Sequence, residues 1–198
     1  MADCGFYGKL PSQGDFVSRR LPWEFTSGWD DWLQQGLLAS RTSLGERWLG
    51  LYLSAPVWRF QLAAGVCGPQ GWRGFFFASV DRVGRYFPLT VAVADAAGDV
   101  PTLATLTDDD ERWLDCEDQA LAALDPKLAI DDFDLRVQAL ALPPARARDP
   151  WADAATLWLY TGGTDTLPAT SHVFTTLPPA TGFAALLAAS LPAQEPGP

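Results

Sequence analysis

Between Trp72 and Asp95 the apolar positions change rhythm in a way that points to two strands of unlike character. In the first, both alternating sets are apolar: Trp72, Phe76, Ala78 and Val80 on one side, Phe75 and Phe77 on the other. A strand with no face for water belongs in the middle of a sheet. In the second, Phe87, Leu89, Val91 and Val93 alternate with the smaller Thr90, Ala92 and Ala94, leaving one face that a helix can approach closely. Helices are therefore expected on both faces of the sheet. Between the strands, Asp81-Arg82-Val83-Gly84-Arg85 gathers three charges and a glycine where the chain reverses. Gly84 there can take the positive φ that Val83 resists.

The same reading extends along the chain. The opening GFYGKLPSQGDFV predicts a short strand at Phe6-Tyr7, a structured loop punctuated by Pro11, Gly14 and Asp15, and a second short strand at Phe16-Val17. From Pro22 to Ser40 the residues Trp29, Trp32, Leu33, Gly36 and Leu37 recur at helical spacing, with Thr26 or Ser27 placed to cap the start. Ser43 followed by Glu46 has the pattern of a capping box and predicts a second helix through Trp48, Leu49, Tyr52 and Leu53, closed by Pro56. Val57–Ala64 reads as a strand, and Gly65, Gly68, Gly71 and Gly74 as part of a hairpin connection leading into the central strand.

After the central pair, Thr107 is expected to cap an acidic helix with Asp108, Asp109, Asp110 and Glu111 in its first turn. Its apolar side would carry Trp113, Leu114, Ala120, Leu121 and Leu124, and its negative side, with Asp115, Glu117 and Asp118, would face water. A further helix through Leu135–Leu140, an exposed connector from Pro143 to Pro150, and strands at Thr156–Tyr160 and Val173–Thr176 across a Gly162-Gly163 turn follow. Phe183, Leu186 and Leu187 mark a last short helix. The predicted architecture is a single α/β domain over residues 1–192, with a mixed, largely antiparallel central sheet, helices packed on both faces, and a disordered tail at 193–198.

Composition narrows the function classes. A chain of 198 residues that is 48% hydrophobic can bury one sizeable core. It has no run of about 18 apolar residues and no basic start followed by an apolar segment, so a cytoplasmic protein without membrane insertion is expected. Cys4, Cys67 and Cys116 are odd in number and far apart, which suits reduced, buried thiols and not a metal cage. The net charge of −10 argues against nucleic-acid binding and leaves a protein partner as the simpler expectation. That charge is uneven: residues 1–94 hold 9 basic and 7 acidic side chains, whereas 95–134 hold 2 and 13.

No catalytic signature stands out. The sequence lacks a Gly-x-Ser-x-Gly elbow, a Cys-x-x-Cys pair, a His-Glu-x-x-His motif and a dinucleotide-binding glycine pattern. Gly5-x-x-Gly8-Lys9 fails as a phosphate loop because Leu10 stands where Ser or Thr should follow the lysine. His172, the only histidine, sits beside Ser171 without a nearby acid or nucleophile motif and reads as structural. No catalytic, cofactor or metal residues are assigned. Two groups resist a purely structural account: Lys9 and Asp15 in the opening loop, and Arg59, Asp81, Arg82 and Arg85 near the central strands. Either they form an internal salt-bridge network that fixes loops, or they form a protein-docking surface. A third reading is an enzyme or anion-binding protein with a pocket between the opening loop and the Asp81–Arg85 turn, in which Lys9 or an arginine grips the anion.

The blocks GFYGKLPSQGDFV, WDDWLQQGLLASR, LGERWLGLYLSAPVWRF and SVDRVGRYFPLTVA resemble, in content and order, the TagF family of type VI secretion-associated proteins. The likeness is close over the first half and thins beyond Asp95 to WLDCEDQALAAL and a late apolar helix. What it implies is a non-catalytic cytoplasmic accessory protein, without a cofactor, that restrains type VI secretion after translation by binding a forkhead-associated scaffold protein. Some relatives carry a fused PP2C-type phosphatase, whose metal-binding aspartates have no counterpart in context here. A general interaction module with no secretion role is the competing reading. Within the resemblance, the Asp81–Arg85 turn is expected to contribute to docking and the acidic helix from Asp108 to keep the protein soluble.

Overall fold

The computed structural model describes residues 3–95, 101–146, 154–160 and 170–189. Its strands are β1 (Gly5–Gly8), β2 (Val17–Arg19), β3 (Trp58–Leu62), β4 (Gly71–Phe77), β5 (Leu89–Asp95), β6 (Thr156–Tyr160) and β7 (Thr170–Phe174). They form one seven-stranded sheet in the order β2-β1-β5-β4-β3-β6-β7. Every pairing is antiparallel, so the sheet is not mixed. The strand that is apolar on both faces, β4, takes the central place, flanked by β3 and β5.

Each face of β4 feeds a separate core. On one side Trp72 and Phe76, with Trp58, Phe60 and Trp158, meet α1 (Trp23–Leu44), α2 (Trp48–Leu53) and α6 (Phe183–Ala188). On the other, Phe75 and Phe77, with Leu89, Val91, Val93, Leu157 and Leu159, meet α3 (Leu103–Thr107), α4 (Asp110–Leu121) and α5 (Ile130–Ala139). The small face of β5 does what its residue sizes suggested. Thr90 and Ala92 make room for Trp29 of α1, which is fully buried and donates its indole N–H to the Thr90 hydroxyl at 2.8 Å. Trp29 also packs on Phe60, with ring centroids 4.5 Å apart. Phe87, expected beside Leu89 on the α4 side, instead joins the α1 core, because it precedes β5 and its parity is not that of the strand.

Two glycines are fixed by close approach. A Cβ on Gly74 in β4 would lie 2.1 Å from the Val91 carbonyl oxygen, and one on Gly36 in α1 would lie 2.5 Å from the Phe183 ring. The first lets the central strands pair closely and the second seats α6 on α1.

Several boundaries depart from the sequence expectation, each for a local reason. Pro22, not Thr26 or Ser27, stands at the start of α1, and the Thr26 hydroxyl turns back to the Pro22 carbonyl. The first helix continues through Ser43, whose hydroxyl bonds to the Ser40 carbonyl, so Ser43 and Glu46 form no capping box. Gly45, at φ 53°, ends that helix, and a single 3₁₀ turn leads to α2. Thr107 closes α3 and caps nothing; Thr102 caps α3 instead, by accepting the Thr105 N–H. Asp109 adopts a left-handed conformation at φ 59°, leaving Asp110 and Glu111 in the first turn of α4. The Pro143 segment is no loose connector in its described part: Leu142 is buried, Arg73 donates to the Pro143 carbonyl, and the Arg146 N–H donates to the Thr105 hydroxyl. The seventh strand runs from Thr170 to Phe174, starting three residues earlier than the expected Val173–Thr176 span and sharing Val173 and Phe174 with it. The Gly162-Gly163 turn and the 193–198 tail lie outside the described residues.

The Trp29–Thr90 contact is directly testable. Trp29→Ala should cost about 3–5 kcal/mol in urea unfolding, as a large buried aromatic is lost. Thr90→Val should cost about 1–3 kcal/mol, because it leaves the indole N–H buried without an acceptor. The double variant should cost less than the sum of the two, since Thr90 has no indole left to satisfy. Strict additivity would show that the hydrogen bond does not couple helix to sheet.

Candidate functional site

Beyond β4, Val80 and Tyr86 form an isolated bridge that narrows the chain into a tight turn. The Asp81 N–H donates to the Arg85 carbonyl and the Gly84 N–H to the Asp81 carbonyl, both at 3.0 Å, with Gly84 at φ 86°. A buried carboxylate organises this turn. One oxygen of Asp81 accepts the backbone N–H groups of Val83 and Arg85 at 3.0 and 2.9 Å. The other accepts Lys9 Nζ at 2.8 Å and Arg85 Nε at 2.6 Å. Burial alone would push this carboxyl upward, but the bonds from Lys9, Arg85 and Val83 outweigh it and hold the group well below the usual carboxylate range.

The same network reaches the loop between β1 and β2. The Ser79 hydroxyl donates to the Lys9 carbonyl at 2.7 Å, and the Tyr52 hydroxyl donates to the Ser79 carbonyl at 2.7 Å. The Arg82 N–H donates to the Gln13 carbonyl at 2.8 Å. The Arg85 guanidinium bonds to the Gly14 carbonyl and lies 3.5 Å from the exposed carboxylate of Asp15. Lys9 Nζ also sits 5.0 Å from the centroid of Phe16. Lys9, Asp15, Asp81, Arg82 and Arg85 thus come together, as the sequence grouping implied. The Arg82 side chain is the exception within the cluster: it is exposed and makes no ion pair or hydrogen bond among the described residues.

Arg59 belongs elsewhere. It lies in β3 on the α4 side, fully buried, with Nε 2.5 Å from Glu117 and Nη1 2.5 Å from Asp110 and 2.9 Å from the Leu106 carbonyl. Its guanidinium packs over Trp113 at 5.3 Å. The acidic face of α4 is therefore not simply solvated, and its role is not confined to solubility. Glu117 is buried and holds the helix to the sheet, although burial pushes its carboxyl upward against the pull of Arg59. Sequence reasoning missed Glu117. The signal was Arg59 itself, an arginine inside the otherwise apolar WRFQL strand, which requires a buried acid from whatever packs over it. His172 lies on β7 with its ring 5.7 Å from Trp58, and burial lowers its pKa.

Two predictions follow from these ion pairs. Arg59→Met leaves Glu117 buried without its partner and should cost about 3–5 kcal/mol in chemical unfolding, whereas Arg59→Met/Glu117→Leu should recover most of that loss. No recovery would mean that the pair is not what seats α4. Asp81→Asn should destabilise the protein in a pH-dependent way. Because the folded Asp81 is more acidic than an ordinary aspartate, its contribution is full above pH of about 5 and shrinks as pH falls through and below about 4. Unfolding at neutral and acid pH should show the gap between wild type and variant narrowing on acidification, and a gap independent of pH would contradict this.

The model of the TagF N-terminal domain, described as type VI secretion system-associated, matches residues 5–140. That span holds the whole Asp81 network and the Arg59–Glu117 pair. The crystal structure of PA0076 from Pseudomonas aeruginosa PAO1 is similar at 33% sequence identity, with a TM-score of 0.78, over 93% of this chain and 94% of that one. No curated protein matches. In the described residues no helix is long and apolar enough to cross a membrane. With well over half of its length matched, and its loop-fixing network inside the match, this chain belongs to the TagF N-terminal domain family of type VI secretion system-associated proteins.

Proposed function

We propose that the chain is a non-catalytic cytoplasmic accessory protein that restrains type VI secretion after translation by binding a forkhead-associated scaffold protein. The observation that carries the docking site is the condition of Arg82. Its backbone is pinned to Gln13 inside a turn fixed by a buried carboxylate, while its guanidinium is exposed and without an internal carboxylate. A cation on a rigid mount loses little freedom when it meets a carboxylate on a partner. Val83, 66% exposed beside it, adds an apolar contact.

The charged groups that could have suggested chemistry are committed elsewhere, which supports a binding role over an enzymatic one. Lys9 is buried and neutralised by Asp81, so it is not free to grip an anion. Arg59 is held by α4. The docking and loop-fixing readings of the cluster thus divide between residues: Lys9, Asp81 and Arg85 fix the loops, and Arg82 is left for a partner.

Arg82→Glu should reduce affinity for the forkhead-associated protein by about tenfold or more while leaving the melting temperature unchanged. Arg85→Ala should instead lower the melting temperature, because it removes a ligand of Asp81 and the link to the β1–β2 loop. Calorimetric titration and thermal unfolding of the same variants separate the two effects. A folded Arg82→Glu protein with undiminished affinity removes this turn from the interface.

A further inference from the structure

The sheet ends in two unlike edges. At one, β2 spans only three residues and carries Arg19. Arg20 follows it at φ 57°, tied to the Cys4 carbonyl and to Asp134. Shortness and charge of this kind keep an edge from pairing with foreign strands. At the other, β7 pairs along its five residues with β6 and, among the described residues, with no other strand. It contains no charge, proline or glycine, so nothing in its own sequence guards its outer side.

Two observations say that the strand which fits this edge is β7 of a second copy. The first is charge. Asp165 is the only Asp, Glu, Lys or Arg between Asp153 and Glu195, in a chain that is 19% charged with a net charge of −10. β6, β7 and α6 carry none. Two copies of this acidic protein can therefore meet at this end of the sheet without bringing like charges into contact. The second is geometry. A dyad perpendicular to the sheet and passing through His172, the middle residue of β7, runs the two strands antiparallel and keeps every residue on its own face. On the α1 side, where His172 lies opposite Trp158, each His172 then faces its own copy. On the α4 side Ser171 of each copy faces Val173 of the other, so a small side chain meets a β-branched one in both places. Val173 and Phe174, each packed against one of the two cores, carry both apolar layers toward the dyad.

We infer that β7 is a self-association edge, at which two copies of the chain join antiparallel and merge their seven-stranded sheets into one. A single strand pair is a small interface, so the association is reversible and follows concentration. Pairing about a dyad uses up the edge, so it stops at the dimer. The inference goes beyond the Arg82 reading and does not depend on it. β7 lies three places from β4 in the strand order, whereas the Asp81 network reaches toward β1, in the opposite half of the sheet.

Sedimentation velocity of the full chain over a rising concentration series tests it. The expected result is a monomer–dimer equilibrium without larger species. Ser171→Lys, which places a charge at an exposed position of this edge, should weaken it at least about tenfold, and Ser18→Lys, at an exposed position of β2, should leave it unchanged. Thermal unfolding of both variants at the wild-type temperature assigns the difference to association. His172→Cys then reads the register. The three native cysteines are buried, so oxidation by copper–phenanthroline should link two chains through the introduced thiols, whose Cα atoms lie about 4.5–5.5 Å apart across the dyad. Thr175→Cys, three residues further from the dyad on each chain, puts the thiols about 20 Å apart and should not cross-link. A monomer at every concentration, species larger than a dimer, or a dimer indifferent to Ser171→Lys would overturn the proposal. So would a dimer lost in Ser18→Lys instead, or cross-linking no faster at position 172 than at 175.

Discussion

A single buried carboxylate, that of Asp81, is the constraint on which the functional end of the molecule depends. Taking it out of water would be unfavourable without compensation, and four donors supply that compensation from three directions: the turn backbone, the Arg85 side chain and Lys9. Since Lys9 follows β1 and Asp81 follows β4, the same charge couples the outer part of the sheet to its centre. The β1–β2 loop, the Tyr52–Ser79 contact and the presentation of Arg82 all follow from where that carboxylate sits.

Arg59 solves a different problem by similar means. Its guanidinium lies in a core layer otherwise built from Phe75, Val91, Leu157 and Leu159, and needs carboxylates brought to it. The helix that brings them has many acids, but the buried Glu117 and the first-turn Asp110 are the ones aimed at Arg59. Negative charge in α4 thus divides into an outward face and an inward clasp. One ion network sits at the edge of the molecule and orders a loop; the other lies inside and positions a helix.

Most of the architecture was legible because it rests on periodicity. The two-sided apolar pattern of β4 placed it in the sheet centre, and the large and small alternation in β5 anticipated the approach of α1. The helix starts were less legible because capping signals are short and compete with tertiary context. Ser43 with Glu46 satisfied a capping pattern, yet the chain continued as helix until Gly45 could reverse it. At Thr107 an acidic run obscured the true break, which a left-handed Asp109 supplies. The charged cluster at the turn could be grouped from sequence, but Arg59 could not be separated from it. That separation depends on which face of β3 points toward α4, and Glu117 looked like one more solvated acid until the helix was docked.

The tryptophan layer between α1 and the sheet carries one more consequence. The rings of Trp29 and Trp158 lie nearly parallel, 5° apart in plane with centroids 5.8 Å apart, and Trp32 packs against both. Indoles held this close and in fixed orientation share their electronic excitation, so the layer acts as a native optical antenna whose near-ultraviolet circular dichroism reports on whether α1 remains seated on β6. The protein carries, in its own core, a label for the docking of its longest helix.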